Sequence, residues 1–230
     1  MALYTIGDLH LSLGTDKPMD SFKGWDNYVD RLERNWRAVV ELEDTVVVAG
    51  DISWGMTLQE AAADFDFLQS LPGKKLLIKG NHDYWWTTAA KFYRFCEENG
   101  FSDLYLLNNN CYFYNGIALT GTRGWFFEED APDGSHNDKI FKRELLRLEA
   151  SLRAAGDTPE KLCFLHYPPR YRGYECPEIL ALLERYGVKE CCYGHLHGSS
   201  HRLAIEGVHH GVTYRLCAAD YTNFAPIRLR

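Results

Sequence analysis

The chain reads as α/β, and three observations predict that class. Short β-branched or aliphatic runs alternate with stretches of helical periodicity, the order expected of helices packed over a sheet. Several of the short runs stop at glycine followed by a polar residue. No linker, internal repeat or low-complexity tract breaks the 230 residues, so residues 1–230 are expected to form a single domain.

Leu3 to Ile6 predicts a strand ending at Gly7-Asp8. Trp25, Tyr28, Val29, Leu32, Trp36, Val39 and Val40 then repeat at helical spacing. Thr45 to Ala49 is a second strand, stopped by Gly50-Asp51, and Leu58, Ala61, Ala62, Phe65 and Leu68 mark a helix closed by Pro72-Gly73. Lys75 to Ile78 is a third strand, ending at Gly80-Asn81-His82-Asp83, with a helix expected over residues 86–99. Tyr105–Leu107, Cys111–Tyr114 and Ile117–Thr120 read as strands, the last two joined by an Asn115-Gly116 hairpin turn. Residues 121–138, polar apart from Trp125-Phe126-Phe127, read as a long loop. Phe141, Leu145, Leu148 and Leu152 mark a further helix. Strands are then expected at Leu162–Leu165, ending at His166, and at Cys191–Tyr193, ending at Gly194-His195. The last thirty residues predict two or three antiparallel strands.

Composition narrows the function classes. Lys and Arg number 25 against 32 Asp and Glu, a formal charge of −7, which argues against a protein that coats long nucleic acid or anionic membrane. No apolar run reaches the ~20 residues of a membrane span, and no leader pattern opens the chain. The seven cysteines form no Cys-x-x-Cys pair, and the adjacent Cys191 and Cys192 sit in an apolar run as small hydrophobes. A cytoplasmic location is the expectation.

The polar residues that close five strands share one chemistry: Asp8 with His10, Asp51, Asn81 with His82, His166, and His195 with His197. Ligands of α/β sheets bind at carboxyl ends of strands, where loops converge. Imidazole and carboxylate together suit Mn, Fe, Zn or Ni, and the set exceeds the four ligands of one tetrahedral ion. Two divalent transition-metal ions sharing a bridging carboxylate would use them all. Such a pair, about 3.5–4 Å apart, clamps the attacking and leaving oxygens of a phosphoryl ester.

These blocks, in order between residues 7 and 197, resemble the five-part signature of the calcineurin-like metallophosphoesterases, most closely its small bacterial phosphohydrolases. The resemblance implies a β-sandwich flanked by helices on both sides, with the metal site at the strand C-terminal ends. It also implies that Asp8, His10 and His197 hold one ion, that Asn81, His166 and His195 hold the other, and that Asp51 bridges them. His82 would serve as general acid or steady the transition state, with Asp83 orienting its ring. The activity implied is hydrolysis of a phosphate mono- or diester by a metal-bridging hydroxide. The substrate would be a small phosphorylated molecule or a phosphoprotein. The competing reading is a phospho-ligand binding protein of the same fold without turnover, which would not need His82 and Asp83.

Other residues carry weaker expectations. Arg123, Arg170 and Arg172 follow site-facing strands and are candidates to fork onto a phosphate oxygen. Tyr84-Trp85-Trp86 is read as core packing at a helix start in preference to a stacking wall. The loops 11–24 and 124–138 are expected to decide substrate choice, the second as a lid carrying Glu128-Glu129-Asp130. His209 and His210 are placed by alternation on opposite faces of a strand, away from the site, and His136 and His201 receive no role.

Overall fold

A computed structural model describes residues 1–125 and 134–230. In the first half, β1 (Leu3–Ile6), α1 (Tyr28–Val39), β2 (Thr45–Val48), α2 (Ala62–Ser70), β3 (Lys74–Leu77), α3 (Ala89–Asn99) and β4 (Leu104–Leu106) form a repeating strand–helix unit. β1 to β4 pair in parallel, in sequence order. Helix spacing buries Tyr28, Leu32 and Trp36 of α1, and Phe92, Phe95 and Cys96 of α3, against one face of this sheet. The Thr88 hydroxyl caps α3 by accepting from the Lys91 N–H, and Gly100, at φ 74°, ends it.

The second half builds its own sheet. β5 (Tyr112–Tyr114) and β6 (Ile117–Thr122) form the expected hairpin, with Asn115 and Gly116 both at positive φ. Then come α4 (Gly134–Ala154), β7 (Glu160–Leu165), a short hairpin of β8 (Arg170–Tyr171) and β9 (Tyr174–Glu175), α5 (Pro177–Arg185), β10 (Val188–Tyr193), β11 (Gly207–His209), β12 (Val212–Leu216) and β13 (Ile227–Arg228). The sheet order is β11-β12-β10-β7-β6-β5, while β13 returns to pair antiparallel with β1. Leu3, Val47, Ile78, Leu119, Phe164, Cys192 and Cys217 fill the space between the two sheets. Helices α4 and α5 cover the outer face of the second sheet, so the layers run helix, sheet, sheet, helix. This is the metallophosphoesterase-type sandwich.

Three expectations need correction. The loop expected over 121–138 is interrupted, because α4 already starts at Gly134; its first turn is polar, so no apolar periodicity signals it before Ile140. The lid residues Glu128, Glu129 and Asp130 and the pair Phe126-Phe127 lie outside the described residues. The C-terminal strands are not all antiparallel, since β12 pairs parallel with β10. His210 lies beyond β11 in a turn at φ 49°, so it does not alternate with His209 along a strand. Helix α5 was not anticipated, although Pro177 at its first position and the Ile179, Leu182 and Leu183 stripe announce it.

Candidate metal centre

The strands end in parallel at one edge of the sandwich, and the site is built there from six of them. Asp8 and His10 follow β1, Asp51 follows β2, and Asn81, His82 and Asp83 follow β3. His166 follows β7, and His195 and His197 follow β10. The sixth is β12, whose continuation joins the sheets: the Gly7 N–H donates to the Cys217 carbonyl at 2.7 Å and the Ala219 N–H to the Gly7 carbonyl at 2.9 Å. This seam sets the loops of one sheet against those of the other.

Two clusters result, Asp8 with His10 and His197, and Asp51 with His166 and His195, the ligand atoms within each lying within 4.8 Å of one another. Asp51 stands between them. Its Oδ2 is 3.7 Å from His10 Nε2 in one cluster and 3.5 Å from His166 Nε2 in the other, while its Oδ1 accepts the His82 N–H at 2.8 Å. Asn81 joins the second cluster, with Oδ1 2.6 Å from His166 Nε2.

The backbone is bent to achieve this. Asp8, His10, Asp51 and His195 take φ values of 58°, 46°, 50° and 70°, a left-handed conformation that costs a non-glycine residue free energy and concentrates at functional sites. Two glycines permit the close approach. A Cβ on Gly80 would stand 2.1 Å from Asp51 Oδ1, and one on Gly194 would stand 2.2 Å from Asp8 Oδ2.

The donor set fits divalent cations. His166 Nδ1 lies 3.1 Å from the Ala49 carbonyl, which only accepts, so that nitrogen carries the proton and Nε2 presents a lone pair. That lone pair faces the Asn81 carbonyl oxygen at 2.6 Å, a contact between acceptors that a cation resolves. His10 and His197 bring their Nε2 atoms to within 3.2 Å of each other. Burial holds His166 and His195 neutral, lowering both to about 3, and desolvation together with the surrounding imidazoles depresses His10. Desolvation, with Asp83 and Asp8 adding repulsion, raises Asp51 well above the usual carboxylate range. These are neutral nitrogen donors around carboxylates that lack positive charge, the arrangement a divalent ion neutralises.

His197 behaves differently. Burial works against its charged form, but the Asp8 and Asp220 carboxylates overcome that and lift it to about 10. Asp220 was not found in the sequence. Its Oδ1 lies 3.0 Å from His197 Nδ1, its Oδ2 accepts the Gly198 N–H at 2.9 Å, and His201 Nε2 stands 3.1 Å from Oδ2. This gives His201 a place that the sequence reading left open. The signal for Asp220 was present: Leu216-Cys217-Ala218-Ala219 is another apolar run ending in an acid, but no glycine marks it.

His82 is half-buried and lies beside both clusters, its ring 5.8 Å from that of His10 and 4.5 Å from the Trp54 indole. Trp54, also missed, stacks on His10 at 5.0 Å and 24°. Asp83 does not orient His82 as expected. Its Oδ1 accepts from the Ile52 and Ser53 N–H groups and from Trp85 Nε1, and its Oδ2 from the Gly80 N–H. Fully buried and raised to about 6 by desolvation, Asp83 ties the β2 and β3 loops together, while His82 Nδ1 has no partner among the described residues.

The three arginines are dispersed. Arg123 reaches Glu144 at 3.4 Å, with its backbone carbonyl accepting the His166 and Tyr167 N–H groups. Arg170 pairs with Glu175 within its hairpin at 2.6 Å, and Arg172 is exposed. Trp85 packs as expected, edge-on against Phe65 at 4.8 Å, whereas Tyr84 is exposed.

Residues 1–199 match the family model for calcineurin-like phosphoesterases. The chain belongs to this family. The calcineurin-like phosphoesterases are metal-dependent phosphohydrolases, and the two clusters are where such a chain can hold metal. The fold is shared with a phosphopantetheinyl hydrolase from Mycobacterium tuberculosis, at a TM-score of 0.59 and 15% identity, covering 99% of this chain and 95% of that one. A protein of unknown function from Aquifex aeolicus covers the same shares of the two chains at a TM-score of 0.51 and 15% identity. A Thermus thermophilus protein covers 85% and 81% at 0.54 and 12%. In sequence, 52 residues are 44% identical to the gene 66 protein of Mycobacterium phage L5, a match spanning 25% of that protein's length. No helix among the described residues is long and apolar enough to cross a membrane.

Proposed function

We propose that this phosphoesterase hydrolyses a phosphate mono- or diester at a dinuclear metal centre, with His82 assisting the leaving group. The observation that carries the reading is the position of Asp51, whose Oδ2 lies within 3.7 Å of a donor nitrogen in each cluster. Asp8, His10 and His197 would hold one ion, Asn81, His166 and His195 the other, and Asp51 both. When bound, the ions supply Lewis acidity toward water and the phosphoryl oxygens.

The chain's own residues do the rest. The carbonyl of Ala49 and the carboxylate of Asp220 fix the rings of His166 and His197, so donor nitrogens point inward without reorganisation. Asp83 holds the backbone that carries His82, and Trp54 packs against the His82 ring. Burial and the nearby Lys17 and His197 charges lower the His82 pKa, which makes its imidazolium a readier proton donor to a departing oxygen. A small phosphorylated substrate suits a chain of formal charge −7, and a long nucleic acid does not.

The test is turnover of nitrophenyl phosphate and bis-nitrophenyl phosphate with Mn, with and without chelator, in protein assayed for two ions. Absence of metal-dependent turnover in fully loaded protein would sink the enzyme reading. His82→Ala should keep both ions and lose about 10²–10⁴-fold in rate, most for poor leaving groups. A loss of metal with the activity would instead make His82 part of the ligand structure.

A further inference from the structure

At the ends of β3 and β6 lies a cavity of about 440 Å³ whose walls include Lys79, Thr87, Thr88, Arg123, Glu144 and Arg147. Its charge runs against that of the chain: three cations face one carboxylate, in a protein whose formal charge is −7. The carboxylate is already spent. Glu144, buried, accepts from the Thr122 hydroxyl at 3.0 Å, from Arg147 Nη1 at 2.5 Å and from Arg123 Nη2 at 3.4 Å. It thereby sets two guanidinium groups in place. Arg123 Nε is buried and has no hydrogen-bond partner among the described residues. Lys79 forms no ion pair among them either. The N-terminus of α3, eleven residues long, adds its positive end where Thr87 and Thr88 line the wall.

The cavity and the metal centre are built on the same two segments. Lys79 precedes Gly80-Asn81, and the Arg123 carbonyl accepts the N–H of His166 at 3.1 Å and of Tyr167 at 2.8 Å. Cations from three separate elements, two of them held by Glu144, suit a tetrahedral dianion with several acceptor oxygens better than a single carboxylate.

We propose that this cavity is a second oxyanion site, separate from the metal clusters, that takes a phosphate group. The phosphate has two possible sources, a second phosphate on the substrate or free inorganic phosphate. The first source rests on the phosphoesterase reading above; the site itself does not.

The first arm therefore uses chelator-treated protein, in which metal-dependent binding is absent. Calorimetric titration with inorganic phosphate should show one equivalent bound to the wild type and to His82→Ala. Lys79→Gln and the exposed Arg147→Ala should each weaken it by about tenfold, the order expected for losing one charge-assisted contact. No uptake by the chelated wild type, or uptake unchanged in both variants, overturns the proposal. The second arm loads Mn and compares KM for butanediol bisphosphate with KM for butyl phosphate. A lower KM for the bisphosphate, with the advantage lost in Lys79→Gln, assigns the site to the substrate's second phosphate. Equal KM values alongside the calorimetric site assign it to free phosphate. If neither ester turns over, the metal-centre reading fails while the calorimetry stands.

Discussion

The two ligand clusters are made of nearly the same residue types and are held in opposite ways. Around Asp51, His166 and His195, the protein imposes order by burial: His166 is fully enclosed, its Nδ1–H is fixed by a backbone carbonyl, and both imidazoles are held neutral at about 3. Around Asp8, His10 and His197, order comes partly from charge. His197 keeps 32% of its side chain exposed and is anchored by Asp220, a residue on a different strand end. The first cluster is preformed largely by packing. The second depends on a carboxylate that one substitution removes. One fold thus offers a rigid site and a tunable site, with the Asp51 carboxylate between them.

That carboxylate is where the largest effect is expected. Asp51→Asn keeps the shape but removes the charge between the clusters and places an amide group beside ring nitrogens or the His82 N–H. Both ions should be weakened together, with turnover falling by about 10³-fold, the scale of losing a preorganised electrostatic partner. Metal analysis of the purified variant checks it. Retention of one full equivalent would show that Asp51 serves a single ion, and that the clusters are less alike in their dependence on it than their geometry suggests.

How much of this contrast was legible in the sequence follows from what sequence periodicity can and cannot report. The strand ends were readable because hydrophobic alternation stops abruptly at Gly7, Gly50, Gly80 and Gly194, and a polar residue after such a stop has few places to go but the sheet edge. Gly80 and Gly194 also carried information about contact, since a side chain at either would collide with Asp51 or Asp8. Asp220 lacked such a mark, and its role depends on the seam between β1 and the end of β12, a pairing across some two hundred residues that no local pattern encodes. Asp83 was misjudged for a related reason. Adjacent residues in a tight loop direct their side chains apart, so Asp83 turned inward to backbone amides while His82 faced outward. The first turn of α4 is polar and carries no apolar signal, whereas α5 has one in Pro177 and the Ile179, Leu182 and Leu183 stripe but is short.

Asp220→Asn probes the tunable cluster alone. The amide still hydrogen-bonds His197 but no longer stabilises its charge or strengthens it as a donor. Affinity for one ion should fall by about 10–100-fold, the usual cost of removing a carboxylate behind a metal-bound histidine, while the other ion is retained. Titration of metal-free protein should resolve two classes of site in the variant. A parallel loss at both would mean that the second cluster is not independent of the first. The same variant should release fewer protons on metal binding, because His197 begins from a lower pKa than the about 10 it has beside Asp220.

The smallest effect, and the one that separates the clusters without any metal, is the pH dependence of stability. His166 sits at about 3 in the folded chain against 6.5 in the unfolded one. Between those values the unfolded state binds more protons, so stability is fully present above pH 6.5 and is lost as pH falls. At pH 5 the loss from His166 is about 2 kcal/mol, and His195, also at about 3, acts in the same direction. His197 has the opposite sign: raised to about 10, it contributes stability present below pH 6.5 and lost as pH rises toward 10. Denaturant unfolding of chelated protein should therefore show an acid limb and an alkaline limb. His166→Gln should flatten the first, and His197→Gln the second. If either substitution altered both limbs equally, the charges would be pooled across the site, and the division between a packed cluster and a charge-anchored one would not hold.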